Sequence, residues 1–309
     1  MQLAPLATPF AIAALSLLAL GNAQADTGKL LLTGGVSSVD GAAGGGLTPW
    51  AVIGSNASQT EIGATAHLTR AVTKDYGLTN YGASVGLYDR VELSVAQQDF
   101  ATGITGQALL GQSGFKLRQT ILGVKVKLAG DAVLDSDSWM PQIAAGVQFK
   151  DLSAGGLEPT LTALGAKTSG VDLYVNATKL FLAQGILVNA TVRATKANQN
   201  GLLGFGATLG GANNSYRLQP EISVAWLLRK DLAIGAEYRK MPNNLERAGL
   251  AAGLGDGLRA QDWRDIFIAW APTKNISLTL AYVDLGTIVP ATTNRRRQTG
   301  TYFSAQVAF

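Results

Sequence analysis

Apolar residues recur at every second position along most of this chain. Ile186, Val188, Ala190, Val192 and Ala194 alternate with Leu187, Asn189, Thr191, Arg193 and Thr195. Ile276, Leu278, Leu280 and Tyr282 alternate with Ser277, Thr279, Ala281 and Val283, and Ile143, Ala145, Val147 and Phe149 with Gln142, Ala144, Gly146, Gln148 and Lys150. Successive side chains of a strand point to opposite faces, so period two predicts strands with one apolar face and one small or polar face. The pattern predicts strands near 29–38, 49–55, 61–72, 79–88, 91–101, 117–129, 141–150, 171–181, 186–197, 216–228, 232–241, 262–272, 276–285 and 300–309. Most are about ten residues long, which suits a tilted strand crossing a bilayer in ~9–11 residues.

The connections carry a second pattern. Short ones fall at Asp89-Arg90, Leu182 to Gly185, Arg229 to Asp231 and Thr273 to Asn275; long ones fall at 102–116, 151–170, 198–215, 242–261 and 286–299. Apart from a short 73–78 and a longish 130–140, long and short alternate. Outer-membrane barrels have this asymmetry, with tight periplasmic turns and long extracellular loops. The expected fold is therefore all-β, a closed antiparallel transmembrane β-barrel. A last loop outside the cell puts the C-terminus in the periplasm, sends 61–72 outward and brings 49–55 back inward. Residues 29–38 then supply the missing partner, for a favoured count of 14 strands, even as such barrels require. The alternative is 12 strands, with both segments out of the wall and Gly41-Ala42-Ala43-Gly44-Gly45-Gly46 folded into the lumen as a plug.

On the more apolar register, which is assigned to lipid, charges fall only at strand ends: Arg70, Asp99, Arg118, Lys179, Lys196, Lys240 and Asp284. The opposite register carries Arg90, Glu92, Lys125, Lys127, Asp172, Arg193, Glu221, Glu237, Arg239 and Asp265. Arg or Lys at the bilayer midplane costs ~2–4 kcal/mol, whereas a wet lumen accepts it. Arginine at Val192 or Leu280 is therefore expected to destabilise the barrel, and arginine at Thr191 or Thr279 to be tolerated. Aromatics gather where strands end, at Tyr81, Tyr216, Trp263, Trp270, Tyr302, Phe303 and Phe309, as the headgroup zone favours. Phe303, Ala305, Val307 and Phe309 share one face of the last segment, which resembles the signal read by the barrel-assembly machinery.

Composition agrees with this picture. Only 15% of residues are charged, against about 25% in soluble domains. The chain has 37 glycines and no cysteine, so its core or its barrel closure, rather than disulfides, must supply stability. Residues 10–20 form an uncharged apolar run ending in Ala23-Gln24-Ala25, so 1–25 is expected to be a cleaved secretory signal peptide and 26–309 the barrel. The net charge of +4 implies no nucleic-acid partner. The expected location is the outer membrane of a Gram-negative bacterium, with lipid bilayer and lipopolysaccharide as surroundings.

Three stretches carry a resemblance to a known family: AAGGGLTPWAVI from Ala42 to Ile53, YGASVGLYDRVELSVAQ from Tyr81 to Gln97, and GVKVKLAGDAVLDSDSWMPQIAAGVQFK from Gly123 to Lys150. They resemble a proteobacterial family catalogued as domain of unknown function 3034. The resemblance runs over nearly all of the chain after the signal peptide. It implies an outer-membrane protein and brings no catalytic residues with it.

Candidate chemistry is sparse. His67, the single histidine, sits in the inward register beside Thr65 and Thr69 without the partners of a hydrolase or a metal site. Asp131, Asp135 and Asp137 lie in a turn-like connection whose spacing is not that of a calcium loop. Arg295, Arg296 and Arg297 fall in the last long loop, where guanidinium forks suit lipopolysaccharide phosphates. The Gly41–Gly46 run lacks the lysine and helix of a phosphate loop and reads as a flexible loop or plug. No cofactor, metal or enzymatic activity is expected. The leading expectation is a passive channel for small solutes, weakly selective because its lumen charges balance. The alternatives are a plugged channel for hydrophobic compounds and a structural or adhesion barrel without transport.

Overall fold

The alternation becomes a wall with two unlike surfaces. A computed structural model describes residues 29, 31–133 and 139–309. The expected signal peptide 1–25, Leu30, Asp135 and Asp137 lie outside the described residues. Two short strands, β1 (Val36–Ser37) and β2 (Ala43–Gly44), pair with each other away from the wall. The wall strands are β3 (Ile62–Thr73), β4 (Gly77–Leu87), β5 (Val91–Ala101), β6 (Lys116–Ala129), β7 (Gln142–Ser153) and β8 (Ser169–Phe181). They continue with β9 (Ile186–Thr195), β10 (Arg217–Arg229), β11 (Leu232–Arg239), β12 (Trp263–Thr273), β13 (Ile276–Asp284) and β14 (Thr299–Ala308). Each pairs antiparallel with its neighbours in sequence, and β14 pairs with β3 to close a barrel of 12 strands without an edge.

The favoured count of 14 is thus corrected to the alternative of 12. The described residues of 29–38, with 49–55, are inside the barrel, where Val36 and Ser37 are both buried. The chain doubles back at Gly41, whose φ of +86° few side chains tolerate, and whose added Cβ would meet that of Ala96 at 2.7 Å. No wall edge remains for a further strand, because Gly300 to Ala308 of β14 pair with Thr73 to Thr65 of β3.

One end of the barrel carries tight turns at 88–90, 182–185, 230–231 and 274–275, with the longer 130–141. The other carries the short 74–76 and the long loops 102–115, 154–168, 196–216, 240–262 and 285–298. These loops contain short helices at Gly103–Leu110, Glu158–Ala163 and Glu246–Ala251. They pack inward over the mouth: Leu157, Leu202, Ile288 and Val289 join Tyr76 and Phe100 in a buried apolar cluster.

The outer surface is apolar. Leu68, Leu122, Val192, Ile222, Ile266, Leu280 and Phe303 all point outward and are exposed. Exposed charges of the strands, Arg70, Arg118, Arg217 and Arg264 among them, lie near strand ends. A large apolar belt bounded by charge fits a bilayer and not water, so the barrel spans a membrane through its strands. Trp263 and Tyr302 correct the expectation for aromatics: each is buried inside, since they share parity with Asp265 and Ser304 on the inner face. Tyr81, Tyr216, Trp270, Phe303 and Phe309 are exposed. Lys179 and Asp284, expected on the lipid face, are buried at their strand ends.

Candidate functional site: the plugged lumen

The inner face gains its meaning from the segment it encloses. Residues 29–61 enter at the tight-turn end, where Lys29 Nζ lies 2.7 Å from Asp89 and donates to the Ile53 carbonyl. They climb to Asp40, turn, and descend to Asn56, which donates to the carbonyls of Lys274 and Ala308 before β3 begins. This plug is bonded to the wall along its length.

At its tip, Asp40 is fully buried among three cations from three strands. Arg239 Nη1 donates to its Oδ2 at 2.9 Å, Arg193 Nη2 lies 3.4 Å from the same oxygen, and Lys150 Nζ donates to Oδ1 at 3.2 Å. Asn200, on a loop dipping from the mouth, donates to Oδ1 at 2.8 Å. Burial alone would raise the pKa of this carboxyl; Arg239, Lys150, Arg193 and the Asn200 bond instead hold it below the usual carboxylate range. Two wall carboxylates share the cations: Glu221 takes Arg193 Nε at 2.6 Å and lies 3.2 Å from Arg239 Nε, while Asp172 lies 2.9 Å from Lys150 and 3.5 Å from Arg193.

Lower down, the wall reads the plug backbone. Glu92 accepts the N–H of Ala43 at 3.0 Å and of Gly54 at 2.7 Å, while Lys125, 3.0 Å from Glu92, donates to the carbonyls of Ala43 and Trp50. Glu237 accepts from Leu47 N at 2.7 Å, Thr48 Oγ1 at 2.7 Å and Ser223 Oγ at 2.6 Å. Asn176, Asn189 and Thr191 all donate to the Pro49 carbonyl. Such pairing satisfies backbone groups that would otherwise be orphaned in a dry interior. It also explains the glycines: a Cβ on Gly45 would come within 2.3 Å of Glu237 Oε1.

Glu92, Lys125, Lys127, Asp172, Arg193, Glu221, Glu237, Arg239 and Asp265 are all buried inside the barrel. Lys127 sits at the tight-turn end, 2.8 Å from Asp89 and 3.6 Å from Asp131, and Asp265 faces Glu237 across β11 and β12. Arg90 is the correction. It follows a tight turn at Tyr88 and Asp89, with φ of 55° and 48°, and is exposed outside the lumen, because the inward alternation begins only with β5. The lumen is also not wet around these charges, since Asp40, Lys150 and Asp172 have zero side-chain exposure. Apolar cavities beside the plug measure about 20 Å³ near Leu32 and Trp50 and about 30 Å³ near Val39 and Leu47.

The other expected positions fall as follows. His67 is buried on the inner face, 3.2 Å from Asn80 Nδ2. Arg295 pairs with Asp256 and Arg296 with Asp75 at 3.1 Å, while Arg297 pairs with Asp284 at the root of its own loop at 2.6 Å and donates to Gln261 at 3.1 Å, so the three arginines tie their loop to its neighbours. Phe303, Val307 and Phe309 share the outer face, and Phe309 continues the ladder by exchanging two bonds with Ala64. Asp40, Lys150 and Asn200 were not singled out by sequence. Lys150 stands in the inward register, and an Asp-Gly step at 40–41 is a turn signal that could have marked the tip.

No curated protein matches the chain. Among solved structures, the KdgM porin in complex with disordered oligogalacturonate is similar over 79% of this chain and 99% of its own, at 10% identity and a TM-score of 0.48. The NanC porin is similar over 79% and 98%, at 10% identity and a TM-score of 0.48. Outer membrane phospholipase A from Escherichia coli is similar over 79% and 92%, at 11% identity and a TM-score of 0.42. Likenesses this remote carry no activity over to this chain. The model of the family described as protein of unknown function (DUF3034) matches residues 33–306, from within the plug to the last strand, and the chain belongs to that family.

Proposed function

We propose that the protein is an outer-membrane channel for small polar solutes that rests closed, with residues 29–61 as its gate. The observation that supports this reading is the chemistry of the inner wall. Its charges are buried against the plug, and plug withdrawal would line a lumen with Lys125, Lys150, Arg193 and Arg239 opposite Glu92, Asp172, Glu221 and Glu237. Such a balanced polar lining favours water and small polar solutes over apolar cargo. The apolar cavities of about 20 and 30 Å³ are too small for a lipid or hydrocarbon, with room for about one water each.

In this reading the long loops face the exterior and the C-terminus the periplasm. Arg295, Arg296 and Arg297 keep 67%, 48% and 46% of their side chains exposed, leaving N–H groups for lipopolysaccharide phosphates. Phe303, Val307 and Phe309 serve the assembly machinery, and the protein performs no catalysis.

A disulfide lock tests the gate, because the chain has no cysteine of its own. Ala51 N donates to Thr178 Oγ1 at 2.8 Å, which brings plug and wall together. The double variant Ala51→Cys, Thr178→Cys should show intermittent openings in planar bilayers when reduced, as the plug leaves and returns, and none when oxidised. Silence in both states, and in a folded variant lacking 33–50, would favour a structural barrel instead.

A further inference from the structure

We propose that the cradle around Asp40 is an anion site for a small carboxylate solute, which Asp40 occupies as a built-in competitor; this rests on the closed-channel reading. The wall brings three cations, Lys150, Arg193 and Arg239, to one point and matches them with two carboxylates, Asp172 and Glu221. The wall alone therefore carries one unmatched positive charge at that point. A buried unmatched charge is strongly unfavourable, so the site demands an anion from elsewhere. The plug supplies it.

The cradle is shaped for a carboxylate. Oδ1 of Asp40 lies within reach of Lys150 and Asn200, and Oδ2 within reach of Arg239 and Arg193, so both oxygens of the planar group are held from two sides. Guanidinium groups recognise such a two-oxygen plane better than a point charge would. The aspartate side chain is acetate on a tether, and acetate itself has the dimensions of the group now bound.

Lys150, Arg193 and Arg239 stand toward the long-loop ends of β7, β9 and β11, and Asn200 hangs from the mouth above them. A solute entering through that mouth reaches the cradle before the rest of the lumen. Once the loops packed over the mouth part, the Asp40 side chain must leave to free it, and the turn at Gly41 allows the tip to move while the wall stays closed. A solute carboxylate that binds only when Asp40 is out shifts the plug toward withdrawal by mass action.

Chemical rescue of the full chain in detergent tests the site. Asp40→Ala is expected to lower the unfolding midpoint, and sodium acetate to restore several degrees of it. Sodium chloride at equal ionic strength should not, and the wild type should respond to neither. Adding Arg239→Gln to Asp40→Ala should abolish the rescue. If Asp40→Ala does not fold in plain buffer, its refolding yield in sodium acetate against sodium chloride is read in the same way. Equal restoration by chloride, restoration by phosphate but not acetate, or rescue that survives Arg239→Gln would overturn the site. Conductance reads the gate separately. Acetate rescue with equal currents in wild type and Asp40→Ala keeps the site and removes the gate; raised current without rescue keeps the gate and removes the site.

Discussion

The tip and the base of the plug are held by opposite arrangements of the same chemistry. At the tip the plug provides a side-chain anion and the wall provides cations. At the base the wall provides the anions, Glu92 and Glu237, which accept from the plug's backbone N–H groups and the Thr48 hydroxyl, while plug carbonyls accept from Lys125 and the wall amides. A backbone donor is present in every residue but proline, so the base tolerates side-chain changes in the plug that keep its contour. The tip depends on one carboxylate. The base thus holds the plug by many backbone contacts, and the tip by a single releasable latch.

Removing a wall member of the latch should have the largest effect. Arg193 bonds Glu221, approaches Asp40 and Asp172, and donates to Gln148 at 2.7 Å. Arg193→Ala leaves buried carboxylates unpaired and should cost ~3–5 kcal/mol, measured as a lower denaturation midpoint of the folded barrel. Arg193→Lys should recover only part, because a single ammonium cannot span the same partners. Full recovery by lysine would mean that charge alone, and not the fork, holds the tip.

Neighbouring residues on the two faces of β9 separate lipid from plug. Val192 is 50% exposed and Thr191 2%, so Val192→Arg should destabilise by ~2–4 kcal/mol if it lies near the midplane. Thr191→Arg, expected from sequence to be harmless in a wet lumen, must instead displace the Pro49 carbonyl that Thr191 bonds at 3.0 Å. It should leave a folded barrel with a loosened plug and raised conductance. A closed and fully stable Thr191→Arg would show that the base is not a tight fit.

The base itself is sharpened by Gly45→Ala. Its Cβ falls on Glu237 Oε1 and near Ser223 Oγ, so the carboxylate must shift from the N–H groups it accepts. The cost should be ~1–3 kcal/mol, the range of core overpacking, read as a lowered midpoint. Side-chain changes at Asp40 should release the tip with the base intact; Gly45→Ala should do the reverse, seen as faster exchange at the Leu47 and Thr48 amides. The smallest effect belongs to Lys29→Ala, which removes a pair with Asp89 at the partly exposed foot of the plug. It should change stability by ~0–1 kcal/mol. A larger loss in denaturant titration would make the foot a third anchor.

The wall was legible in the sequence because its signal is local. Predicted segments such as 61–72, 91–101 and 276–285 lie on β3, β5 and β13, and Val192 and Leu280 face outward as their parity indicates. Two kinds of position misled. Arg90 has the parity of Glu92, yet a turn intervenes before the strand starts. Residues 29–38 alternate like a wall strand, although the described ones lie inside the lumen. In a span this short, period two cannot distinguish a strand between lipid and lumen from a hairpin wrapped by the lumen wall.

By itself the sequence determined that this chain makes strands with one face for lipid and one for polar groups, since that depends only on which side chains are one residue apart. It also determined where the chain must turn. Only the tertiary structure decided how many strands close the barrel and what the polar face meets. Asp40 and Arg239 are 199 positions apart, and their contact exists only once the sheet has closed around the plug. A charge on the inner face reads the same in sequence whether it meets water or a buried partner. Closure makes the difference, because it sets the distances between residues that the chain itself keeps far apart.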